Sequence, residues 1–281
     1  MEFYSINSPD KLWRAEISAR LGANITKLQY KGEDILVPLI SEEQLEENPY
    51  IHGCPILLPA NRTYKGRFCF EGKEYSLPLN DPKNDAHLHG FVHRAVFDAV
   101  EIGTNKIVLE YVNKGDCYPF DFRLQVKYVI DNDGFYQYYT VENIGSCNMP
   151  FTFALHASFI EPDLFSVPIC LCQQKNKHHI PTGQYVPLNS QEKKYVSGSI
   201  SKGLIISGYY KSCGNTAKIG KYRYTVSDNF DHWILFNAYG EGNLICIEPQ
   251  CGAVNGLNID DGFNVLKPGA NEIFSTIIKT V

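Results

Sequence analysis

No apolar run in this 281-residue sequence approaches the roughly 18 residues that a membrane-crossing helix needs, and the longest, around residues 167–172, falls far short. An excess of charge is lacking too. The 26 Lys+Arg stand against 31 Asp+Glu, a net charge of −5 with no block of one sign. Nucleic acid and anionic membranes select a clustered basic face, so neither is expected as a partner. Charged residues make up only 20% and hydrophobic residues 44%, which excludes a disordered chain. Met1-Glu2-Phe3-Tyr4-Ser5 has neither a basic patch nor an apolar run, so no signal peptide is expected.

Cys-x-x-Cys spacing is missing as well. The nine cysteines, at 54, 69, 117, 147, 170, 172, 213, 246 and 251, form an odd, scattered set that suits free thiols in a reducing cytoplasm. Cys170-Leu171-Cys172 would put two thiols on one strand face; a metal or redox role is conceivable there, but two buried thiols is the reading favoured. There is no Gly-x-Ser-x-Gly elbow, P-loop or dinucleotide glycine loop, which argues against a serine hydrolase and against nucleotide chemistry. Helical signal is confined to Ser41-Glu42-Glu43-Gln44, which opens a short segment ended by Asn48-Pro49, while Lys193 and Lys194 read as solvated loop residues. No Gly/Ser-rich or Pro-rich linker divides the chain, so residues 1–281 are expected to form one domain.

The sequence is instead rich in period-two alternation. Leu124, Val126, Tyr128 and Ile130 share one side of a half-buried strand, residues 106–111 alternate likewise, and residues 135–142 are packed with strand formers. Turn residues link such runs at Asp131-Asn132-Asp133-Gly134, Glu71-Gly72-Lys73-Glu74 and Gly240-Glu241-Gly242-Asn243. Short strands joined by hairpins predict an all-β protein of antiparallel sheets packed face to face.

Four places could carry chemistry. His87-Leu88-His89-Gly90-Phe91-Val92-His93-Arg94 gathers three histidines. On a strand His87 and His89 would share a face, which suits a metal, but no glutamate accompanies them, and ordinary hydrogen-bonded histidines remain open. His156 lies in an apolar strand, either a satisfied core residue or a catalyst. Glu248 follows the apolar Leu244-Ile245-Cys246-Ile247, so it is either a solvated strand end or a desolvated carboxylate with a raised pKa, fit for a general base. Asn61-Arg62 ends an apolar segment with an amide and a guanidinium, donors suited to vicinal hydroxyls or a carboxylate. No function is assigned to His178 and His179.

In order and spacing these segments resemble the aldose 1-epimerase (galactose mutarotase) family. The resemblance runs through Pro59-Ala60-Asn61-Arg62, Gly66-x-Phe68-x-Phe70-x-Gly72, Leu88-His89-Gly90-Phe91, Tyr118-Pro119-Phe120-x-Phe122, Met149-Pro150-Phe151, His156, Ile180-Pro181-Thr182-Gly183, Cys246-Ile247-Glu248-Pro249 and Leu266-x-Pro268-Gly269. It implies a β-supersandwich, interconversion of the anomers of a free aldose, and no cofactor or metal. It also implies roles: Glu248 as general base, His156 as general acid, Arg62 and His89 as substrate contacts, with Asn61 beside them. Phe230-Asp231-His232 resembles the context of the family's sugar-binding aspartate, which nominates Asp231. Trp233, next to the Glu248 strand, is the aromatic nominated to stack on a sugar, with a core role as its alternative. The implied partner is a small carbohydrate, and the protein a cytoplasmic monomer or homodimer. Phe91 and Arg94 after His89-Gly90 resemble the branch that includes hexose-6-phosphate mutarotases. A phosphorylated hexose, with Arg62 and Arg94 as its cations, and a non-catalytic sugar-binding protein are the two alternatives.

Overall fold

The computed structural model describes residues 3–281. Every pairing between its named strands is antiparallel, and two eight-stranded sheets dominate. One runs Asp98–Ile102, Lys106–Asn113, Phe122–Ile130, Gly134–Asn143, Asn271–Thr280, Tyr222–Val226, Thr216–Ile219, Phe165–Ser166. The other runs Pro181–Pro187, Ile169–Lys175, Ser207–Ser212, His232–Phe236, Leu244–Cys251, Phe153–Leu155, Ile56–Leu57, with Ser158–Ile160 also paired to Leu244–Cys251. A four-stranded sheet of residues 4–34 packs alongside, with Trp13 against Tyr222.

The expected hairpins form at all three turns, and the alternation seen in residues 122–130 becomes alternating burial. Inward residues of both large sheets meet in one aromatic-rich layer, where Trp233 touches Tyr224 and Phe153 stacks on Phe274. Each such side chain is fully buried, and burial of this kind stabilises by roughly 1.5–3 kcal/mol per large apolar residue.

Helices are few. Glu43–Glu47 follows Ser41 as expected, with the Gln44 side chain accepting from the Ile40 and Ser41 amides. A second helix, Ser190–Ser197, corrects the loop reading of Lys193 and Lys194: Asn189 caps it, and Glu192 reaches back to the Asn189 amide. Cys170 and Cys172 are partly exposed rather than buried. A bulge at Ile169/Leu171 interrupts the strand, and Cys170 contacts the Lys211 carbonyl while Cys172 lies across from Tyr210.

Candidate active site

Residues directly opposite one another in antiparallel strands share a sheet face. Tyr209 pairs with Ile234, and Ile234 with Glu248. Across the next strand Ala154 pairs with Gln250 and Ser158 with Cys246, so His156, in the break between Phe153–Leu155 and Ser158–Ile160, falls opposite Glu248. Tyr209, Ile234, Glu248 and His156 therefore form a row across the sheet, on the face turned away from the aromatic core.

This row floors an open cleft of about 630 Å³, a size suited to a monosaccharide. Loops supply the walls. Arg62 begins a two-stranded ribbon in which it pairs with Leu88, and the Asn61 carbonyl accepts the His89 amide, so the segments carrying Arg62 and His89 are tied together. The backbone turns through left-handed conformations at His89 and Gly90. A Cβ at position 90 would sit 2.0 Å from the Leu58 carbonyl oxygen, so only glycine fits there. That turn ends the strand at Leu88, and His87 and His89 do not share a face: His87 Nδ1 lies 2.7 Å from the Pro78 carbonyl, whereas His89 lines the cleft. His93 lines a separate cavity with Arg94. The three histidines form no metal cluster.

The chemistry is concentrated on the floor. His156 Nε2 and Glu248 Oε1 are 3.5 Å apart, with 5% and 2% of their side chains exposed. Burial pushes the Glu248 carboxyl up to about 8, opposed by the Arg62 guanidinium. Burial likewise holds the His156 imidazole down at about 4. His89 is held well below the usual range, first by burial and then by the neighbouring His156 and Arg62.

Arg62 is fixed from two sides. Its Nε donates to Asp81 at 2.9 Å and its Nη1 to the Tyr209 hydroxyl at 3.0 Å. Asn84 in turn donates to both Asp81 oxygens. Lys175 donates to the Ser207 carbonyl and hydroxyl and sits 4.6 Å from the Tyr209 ring centroid; burial, then Arg62, lowers it to about 8.

Of the residues nominated from the sequence, Glu248, His156, Arg62, His89 and Asn61 line this cleft. Trp233 does not. It neighbours Ile234 in sequence, so strand alternation turns it to the opposite face and into the core, where its Nε1 donates to the Gly214 carbonyl. Asp231 is also outside the cleft: it precedes the strand, pairs with Lys211 and accepts from the Gly252 amide. Arg94 lines the other cavity and offers the cleft no cation. Tyr50, His179, Tyr209 and Tyr239 line the cleft without having been singled out, and Asp81 supports it through Arg62. Tyr209 could have been found by its alternation with Ser207; Asp81 carries no sequence signal, because it reaches Arg62 only through the folded ribbon.

A β-supersandwich whose sheet presents an imidazole and a carboxyl on the floor of a sugar-sized cleft has the galactose mutarotase-like architecture. The family profile described as aldose 1-epimerase matches residues 4–279, and the chain belongs to that family. It is 25% identical over 171 residues to the uncharacterized protein YihR of Escherichia coli K12, a match covering 58% of this chain and 54% of that protein. Galactose mutarotase of Rattus norvegicus is 27% identical over 186 residues, 59% of this chain and 53% of that one. The chain thus spans about half the length of the curated relatives it matches. A galactose mutarotase-like protein from Clostridium acetobutylicum superimposes with a TM-score of 0.87 at 22% identity, covering 96% of this chain and 93% of that one. The GalM/aldose epimerase homologue from C. elegans gives 0.85 at 14%, covering 100% and 98%. At these identities the superpositions establish the shared fold.

Proposed function

We propose that the protein is an aldose 1-epimerase that interconverts the α and β anomers of a free aldose, with Glu248 as general base and His156 as general acid. The observation carrying this reading is the imidazole–carboxyl pair, 3.5 Å apart on the floor of a monosaccharide-sized cleft. The same reading takes residues 1–281 as one domain, supported by a hydrophobic core that extends from Ile6 to Ile278.

Mutarotation needs a proton removed from the anomeric hydroxyl and a proton delivered to the ring oxygen. The C1–O5 bond then breaks, the C1 carbonyl forms and turns, and O5 attacks its other face as the protons return. Nothing is oxidised and no group leaves, so the two protein groups meet the whole demand. With Glu248 raised to about 8 and His156 lowered to about 4, the pair at neutral pH is uncharged and holds one transferable proton. Moving it from carboxyl to imidazole gives the carboxylate base and imidazolium acid, a form favoured by Arg62. Each positioned proton transfer contributes roughly 10²- to 10⁴-fold. Arg62 and His89 would bind hydroxyls from the wall, and Asn61 holds the turn between them.

The test is polarimetry on freshly dissolved α-anomers of glucose, galactose and related aldoses. Faster relaxation with wild type than with Glu248→Gln is expected, and no acceleration across the panel would sink the reading. A phosphorylated hexose is the second reading, favoured by Lys175 standing beside Arg62 behind the Ser207 wall. Acceleration confined to hexose 6-phosphates would select it, and sugar binding without any acceleration would select a binding protein.

A further inference from the structure

The face that carries Glu248 also carries a side chain for which the epimerase reading has no use. Cys246 lies two residues before Glu248 on the Leu244–Cys251 strand and so points to the same side. Its thiol is fully buried and sits 3.3 Å from the Ser158 hydroxyl. The His156 ring nitrogen, the Cys246 sulfur and a Glu248 oxygen all lie within 4.8 Å of one another, the sole such trio of potential ligands among the described residues. We propose that His156, Cys246 and Glu248 form a binding site for a borderline-soft divalent cation, with Zn²⁺ the ion whose chemistry matches the donors.

The donor set decides the ion. One imidazole, one thiolate and one carboxylate is a nitrogen, sulfur and oxygen set of the kind zinc takes, whereas Mg²⁺ and Ca²⁺ select all-oxygen sites. Distance decides the fit. Tetrahedral zinc with bonds of about 2.0–2.1 Å to nitrogen and oxygen holds those two atoms about 3.3–3.4 Å apart. The His156 to Glu248 separation of 3.5 Å is already that of two ligands on one ion. With a zinc–sulfur bond of about 2.3 Å, the thiolate must close by about 1 Å, within reach of a rotation of the Cys246 side chain.

Access and support are also in place. His156 and Glu248 line the open cleft, so the ion enters from solvent and keeps its fourth position toward the cleft for water or a sugar hydroxyl. Ser158, opposite Cys246 on the neighbouring strand, stands where an outer partner orients a ligating sulfur. Loading expels the thiol proton to solvent. The site itself is independent of the proposed reaction. Its consequence for turnover rests on that reading: the ion occupies both the base and the acid, so zinc switches the epimerase off and a chelator restores it.

The test uses the full chain, stripped with chelator and desalted, titrated with Co²⁺ and followed by the near-ultraviolet thiolate-to-cobalt absorption, with Zn²⁺ as competitor. One equivalent of Co²⁺ should give that absorption in wild type, and Zn²⁺ should erase it. Cys246→Ser should abolish the absorption, and Glu248→Gln should keep it while weakening Zn²⁺ binding by about tenfold or more. Because a buried serine can disturb folding, His156→Asn serves as a second arm and should also weaken binding. No absorption in wild type, or an unchanged one in Cys246→Ser arising from another of the cysteines, would overturn the site. Polarimetry run alongside separates the two claims. Cobalt binding through Cys246 in a protein that accelerates no sugar upholds the site and removes the epimerase reading. Zn²⁺ bound through Cys246 with mutarotation undiminished would overturn the inhibitory consequence.

Discussion

His156 and Glu248 stand directly opposite one another on neighbouring antiparallel strands, with Nε2 3.5 Å from Oε1. Strand register, rather than a loop, sets this distance, so the pair is held by the most deeply buried strand of the sheet. A rigid floor suits proton transfers, because efficiency falls steeply once donor and acceptor drift out of reach.

Glu248→Gln keeps the shape of the floor and removes the base. Turnover should fall by at least about 10²-fold, with sugar affinity by calorimetry changed far less. An active Glu248→Gln protein would refute the assignment.

His156→Asn should lose turnover to a similar degree while remaining folded, as judged by a cooperative thermal transition. Nδ1 of this ring has no hydrogen-bond partner, so the substitution strands no protein group. Unfolding of the variant would instead mark His156 as a structural residue of the core.

Arg62 is clamped by Asp81 and Tyr209, which aims its planar fork at the cleft. Lysine offers a point charge without that fork. Arg62→Lys should raise KM by about tenfold or more with a smaller change in kcat, consistent with loss of a binding contact of charge-assisted strength. Steady-state polarimetry checks the split, and an equal loss in kcat with KM unchanged would place Arg62 in the proton transfers instead.

Much of this arrangement was legible before any coordinates, for reasons of periodicity. Alternation in residues 122–130 and 134–143 and the turn residues between them announced an antiparallel hairpin. A carboxylate after an apolar strand announced desolvation at Glu248. Strand parity was equally available for Trp233 and argued against it, since a residue one position from the cleft-facing Ile234 must face the core. Resemblance placed Asp231 near the sugar, but local ion pairing with Lys211 and the turn before the strand hold it elsewhere. The helix at Ser190–Ser197 was hidden by its short, weakly amphipathic sequence, although Asn189 and Glu192 supplied a capping box. Asp81, Tyr50 and His179 reach the site through chain reversals, for which no local pattern exists.

Trp233→Phe and Tyr239→Ala should separate the core aromatic from the cleft aromatic. The first removes packing and the hydrogen bond to Gly214, and should lower stability in urea by about 1–3 kcal/mol with kcat nearly unchanged. Tyr239 lies at the cleft rim, 57% exposed, with its ring against Phe236. Its loss should leave stability nearly intact and raise KM. The reverse pattern would return Trp233 to the binding site.

The pair should also be visible in the pH dependence of stability, and the two groups pull in opposite directions. Glu248 has a folded pKa raised from 4.5 to about 8, so the folded state binds its proton more tightly than the unfolded chain. Its contribution is fully present below about pH 4.5 and is lost as pH rises through about 8. His156 has a folded pKa lowered from 6.5 to about 4, so its contribution is complete above about pH 6.5 and is lost as pH falls through about 4. Removing the ionisable carboxyl therefore relieves a penalty that exists only in alkali. Glu248→Gln should match wild type near about pH 5 and melt at a higher temperature than wild type near about pH 9. His156→Asn should show its advantage at the acidic end instead. Melting curves for both variants across that range check the assignment without reference to any sugar. A Glu248→Gln protein whose advantage does not grow with pH would mean that Glu248 is ionised in the folded protein at neutral pH, with its charge fully compensated by Arg62.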